Sequence, residues 1–127
     1  MMGYDESIDM GGKQPQGEDD MFVFGADSKE TACDPGVTRK ILAWSDELMM
    51  CEFTFLEGAQ GKAHAHPHLQ VTFVAAGRFS FTIGEETRTV NPGDSMYIPA
   101  NSVHSVAALS MGKLVDVFSP KRDEFLK

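Results

Sequence analysis

The chain has 127 residues, 42% of them hydrophobic and 24% charged, which bounds it to one globular domain with a core of its own. A formal charge of −8 and a pI of about 4.8, with no basic stripe, argue against nucleic acid or an anionic membrane surface as the main partner. No apolar run approaches the roughly 18 residues of a membrane span, and the acidic, polar start MMGYDESIDM is no signal peptide, so a cytoplasmic protein is expected.

Residues 1–20 hold six acidic residues, four glycines and little that can pack, and read as a disordered leader. Order is expected from Met21-Phe22-Val23-Phe24, with 21–127 as a single domain. Cys33 precedes a turn at Asp34-Pro35-Gly36 and Cys51 sits in an apolar run; both are expected to be reduced. Strand-like runs follow at Thr38–Trp44, Leu48–Leu56, Ala63–His66, Gln70–Ala75, Arg78–Ile83, Glu86–Val90, Ser95–Ile98, His104–Ala108 and Lys113–Phe118. Gly77, Gly84-Glu85, Asn91-Pro92-Gly93 and Pro99-Ala100-Asn101 punctuate them as turns. Phe53, Phe55, Phe73, Phe79 and Phe81 alternate along these runs as core, and Met49 and Met50 as strand filler. A helical turn is expected only in the tail, where Ser119 can cap and Pro120 can open it. Nine short strands in about 100 residues make an all-β fold, a small barrel or jelly roll.

Three of the four histidines stand on alternate residues in GKAHAHPHLQ. Residues two apart in a strand share a face, so His64 and His66 project together about 6–7 Å apart. Pro67 bends the chain before His68 and Gln70, so parity alone does not place those two. Neutral imidazole ligates several transition metals, and a barrel can bring the distant His104 beside the pair.

These residues resemble the cupins. The first cupin motif reads here as Gly58, five residues, His64-Ala65-His66, three residues, Gln70, six residues and Gly77. The second reads as Gly93, five residues, Pro99-Ala100-Asn101, two residues and His104. The resemblance covers about residues 37–118 and implies a double-stranded β-helix, or jelly roll, with one divalent transition metal (Ni, Zn, Mn or Fe) in its lumen on His64, His66, Gln70 and His104. Three departures stand out. Gln70 replaces the usual glutamate, which leaves the ion a stronger Lewis acid. Asn101 replaces a glycine, and asparagine tolerates a left-handed turn. Ala108 replaces an asparagine.

The final strand, KLVDVFSPKRDEFL, puts Asp116 on one face with Leu114 and Phe118. A carboxylate on a half-buried strand is costly unless it is paired, ligating or catalytic; the alternative is a face turned outward at the barrel rim. Arg122 is otherwise a surface ion pair. This ending, with the histidine cluster, is similar to that of the small KdgF-type cupins, the pectin-degradation proteins. That resemblance implies opening of cyclic 4,5-unsaturated uronates, from pectin or alginate breakdown, to linear keto sugars. Asp116 would carry the proton, Arg122 fork the uronate carboxylate, and Phe118 wall one sugar face; His68 is either a donor behind the ligands or a rim residue, and the rim is the expectation. It also implies a homodimer, to which Met21–Phe24 would contribute. A metal-dependent dioxygenase and a non-catalytic sugar-binding cupin are the alternatives.

Overall fold

The computed structural model describes residues 20–127. The expected leader, 1–20, lies outside these but for Asp20. Ten strands follow in order: β1 Glu30–Asp34, β2 Val37–Trp44, β3 Met49–Phe55, β4 Gln60–His64, β5 Leu69–Ala76, β6 Phe79–Ile83, β7 Glu86–Val90, β8 Ser95–Ile98, β9 His104–Ala108 and β10 Gly112–Ser119. They form two antiparallel sheets, β1-β2-β3-β10-β5-β8 and β4-β9-β6-β7, the jelly roll expected from the strand pattern. No helix among the described residues is long and apolar enough to cross a membrane.

Alternation along β10 explains its central place. Leu114, Asp116 and Phe118 are buried and Val115 and Val117 are half-buried, so the Asp116 face turns inward rather than to the rim. Inward residues form one apolar core cluster that includes Phe55, Val74, Phe79, Phe81, Ile98 and Leu114. A smaller cluster, Met49, Cys51 and Phe118, packs with Trp44 and Phe125. Both cysteines are free, Cys33 exposed and Cys51 buried.

Four details differ from expectation. β1 was not anticipated, because its residues are largely exposed and carry no apolar alternation. β4 lies at Gln60–His64 rather than Ala63–His66, since the approach of Pro67, which has no N–H to give a ladder, ends the pairing early. Phe73 is 46% exposed rather than core, because Gln70, Thr72 and Val74 take the inner face of β5. Ser119 pairs with Leu69 as the last residue of β10 instead of capping a helix. The helical turn is a 3₁₀ segment at Asp123–Leu126, after a cis Ser119–Pro120 bond.

Candidate active site

Two pieces of chain, the end of β4 with the loop beyond it and the start of β9, deliver the three histidines. His64 ends β4 and lies directly opposite His104 at the start of β9, and cross-strand partners share a face, so their ring centroids lie 4.3 Å apart. His66 reaches the same point from the loop beyond β4. There its carbonyl accepts a hydrogen bond from the amide of Asn101 (2.7 Å), whose left-handed φ of 65° turns the second loop toward it. One ring nitrogen from each of His64, His66 and His104 lies within 4.8 Å of the others.

All three rings are oriented by the main chain. Nδ1 of His64 faces the Lys62 carbonyl at 2.8 Å, that of His66 the His68 carbonyl at 3.1 Å, and that of His104 the Ser102 carbonyl at 2.9 Å. A carbonyl can only accept, so each Nδ1 carries the proton and each Nε2 presents a lone pair. Nε2 of His104 is buried without a hydrogen-bond partner. Burial also lowers the His66 pKa and pushes that of His104 down to about 4, which keeps both rings in the neutral, ligating form. His68 serves through its backbone carbonyl; its ring stands 5.5 Å from that of His66 and outside the cluster.

From His66 a buried chain of polar groups crosses to β10. The Gln70 amide N–H donates to the Thr72 hydroxyl (2.9 Å), which donates to the Asp116 carboxylate (2.6 Å). Register dictates this contact, because Thr72 pairs directly with Asp116 across β5 and β10. With its N–H turned to Thr72, Gln70 aims Oε1 at Nε2 of His66, 2.9 Å away. Two lone pairs then face each other, an arrangement that a shared cation relieves. The donor set therefore fits a divalent metal, with the three imidazoles and the Gln70 oxygen as its holders. Thr72 was not singled out in the sequence, although its even spacing from Gln70 on a strand marks it as a neighbour.

Asp116 has no ion-pair partner within 4 Å among the described residues. Burial raises its carboxyl to about 6, against the pull of the Thr72 and Gln70 hydrogen bonds and the Arg122 charge. A carboxyl with that pKa can both give and take a proton near neutrality. Phe118 stands edge-on to His66, their ring centroids 5.7 Å apart. Arg122 is buried over Phe118 and Phe125, its Cζ 4.9 and 4.5 Å from their ring centroids, and Glu124 accepts from both its Nε and Nη2 at 2.7 Å. His64, His104, Gln70, Asp116, Phe118 and Arg122 all line one cavity of about 330 Å³. Sequence reasoning did not identify Arg39 and Phe125, which line it too.

The Cupin domain family model matches residues 51–118. The pectin degradation protein KdgF of Dickeya dadantii (strain 3937) is 45% identical over 93 residues, covering 72% of this chain and 84% of that protein. Among solved structures, an RmlC-like cupin from Shewanella frigidimarina NCIMB 400 superposes with a TM-score of 0.81 at 33% identity, covering 84% of this chain and 96% of that one. KdgF from Halomonas sp. superposes with a TM-score of 0.80 at 32% identity, covering 84% and 98%. On the fold, both motifs and these matches, the chain belongs to the cupin family.

Proposed function

We propose that this cupin is a pectin-degradation enzyme that opens cyclic 4,5-unsaturated uronates to linear keto sugars. The observation that carries the reading is that Gln70, hydrogen-bonded through Thr72 to the buried Asp116, faces one sugar-sized cavity together with His64, His104 and Asp116 itself. Its likeness to two proteins named KdgF, one of them a pectin degradation protein, supports it.

The substrate is a hemiacetal whose ring oxygen belongs to an enol ether conjugated with a carboxylate. Opening moves the proton of the anomeric hydroxyl to C4: the C1–ring oxygen bond breaks, C1 becomes an aldehyde and the enolate becomes a ketone at C5. No oxidant is needed. Asp116 is suited to carry that proton, since burial has tuned it to about 6. His64, His66, His104 and Gln70 would hold the metal, which when bound supplies a Lewis-acid charge for developing negative charge on oxygen. Phe118 gives an apolar wall, and Arg122, stacked upon it, adds positive potential. The protein acts in this reading as a homodimer in the cytoplasm.

The test is an oxygen-free assay on freshly made 4,5-unsaturated galacturonate, following loss of the conjugated ultraviolet chromophore. Loss should depend on metal and fall by roughly 10²–10⁴-fold in Asp116→Asn, the range for a general acid–base group. A metal-loaded protein no faster than the spontaneous reaction would sink the reading in favour of a cupin that only binds sugar.

A further inference from the structure

Two arginines enter the cavity, and their electrostatic situations differ. Arg122 is already satisfied, with Glu124 bonded to its Nε and Nη2. Arg39, on β2, lines the same cavity as Asp116 and His104, yet its Nε is buried without a hydrogen-bond partner. Among the described residues Arg39 makes no ion pair, although Asp34 also lines the cavity. Its Cζ lies 4.0 Å from the centroid of the Phe125 ring, the ring that Arg122 also meets. Stacking on an aromatic face fixes the plane of a guanidinium without using its N–H groups. The fork of Arg39 is therefore held in place with its donors unspent.

An unmet charged donor in a partly dry site is destabilising, and such a group persists where its acceptor arrives with a ligand. Phe53, directly across the ladder from Arg39, keeps one side of it apolar, which strengthens any charge-assisted bond made there. We propose that Arg39, rather than Arg122, takes the carboxylate of the bound sugar acid and so sets the preference for uronates over neutral sugars. The inference rests on the sugar-acid reading above and assigns the acid-recognising group within it.

The test compares galacturonate, saturated and unreactive, with its neutral methyl ester, by calorimetry on the metal-loaded full chain. Turnover of the unsaturated uronate is followed in parallel. Arg39→Met keeps the apolar stem over Phe125 and removes the fork. It should weaken galacturonate binding by roughly 10- to 100-fold, as loss of a charge-assisted pair does, and leave the ester unaffected. KM should rise with kcat nearly unchanged. Arg39→Lys, which keeps the charge, should recover part of the acid preference, and it decides the matter if the Met variant does not fold. Wild-type preference for the acid that survives in Arg39→Met and Arg39→Lys but vanishes in Arg122→Met would overturn the assignment, as would a wild type without acid preference. Acid preference that needs Arg39 in a protein without ring-opening activity would uphold Arg39 and refute the reaction instead.

Discussion

At Asp116 and His104 the same physical cause, burial, acts in opposite directions on stability. Asp116 has its pKa raised from 3.8 to about 6, so between those values the folded protein holds a proton that the unfolded chain has released. Its contribution is therefore present at low pH and lost as pH rises through that window. His104 has its pKa lowered from 6.5 to about 4, so the unfolded chain holds the extra proton, and its contribution is lost as pH falls. From about pH 4 to 6 the two slopes offset each other. Asp116→Asn removes one of them. In metal-stripped protein the Asn variant should gain on the wild type by about 2 kcal/mol between pH 4 and 6, and by about 3 kcal/mol over the whole titration. Urea unfolding at several pH values measures it, and a difference that does not change with pH would contradict the assignment of a raised pKa to Asp116.

Between elements, one turn carries an unusually firm constraint. Gly77 joins β5 to β6 at a φ of 78°, and a Cβ there would stand 2.3 Å from the carbonyl oxygen of Met111 and 2.6 Å from Cα of Gly112, where β10 begins. The left-handed backbone alone costs an alanine roughly 1–3 kcal/mol, and the clash with main chain adds to it because neither neighbour can rotate away. Gly77→Ala should therefore lose more than that range in denaturant unfolding, and a loss below about 1 kcal/mol would show that β10 gives way easily. This glycine was legible in the sequence as turn punctuation, and nine strands, β4 with shifted bounds, as the strand-like runs between such turns. β1 was not legible, for an exposed edge strand has no apolar face to betray it. Phe73 misled because aromatic alternation shows that two faces exist without saying which is inner; the polar Gln70 and Thr72 held the inner face through their hydrogen bonds. The histidines were found by spacing, but the route was different: His66 converges from a loop, not from the strand face of His64. Arg39 gave no signal in the sequence, since only tertiary structure shows which of several arginines lacks an acceptor.

Across the whole molecule, the outer face of the large sheet stands out. Leu69, Val71, Phe73 and Tyr97 are each between 45% and 57% exposed, and register makes them neighbours: Val71 lies between Val117 on β10 and Tyr97 on β8. An apolar patch of this kind, on a chain whose net charge of −8 discourages association elsewhere, is the surface best suited to the proposed homodimer. A second apolar group, Met21, Phe22 and Phe24, is exposed near the opposite edge of that sheet, where Lys40 on β2 holds the Gly25 carbonyl. In a two-fold interface each copy offers the same surface, so a contact between two regions of that surface is made twice. In the proposed homodimer, Met21–Phe24 of one chain would then cover the β5–β8 face of its partner. Val71→Lys would bury two ammonium groups per dimer without partners, which an interface cannot sustain. Sedimentation equilibrium should find the wild type dimeric and Val71→Lys monomeric, with the variant's thermal midpoint tracking its lost association rather than a lost core. A monomeric wild type at tens of micromolar would remove the dimer, and a Val71→Lys protein that stays dimeric would move the interface off this sheet.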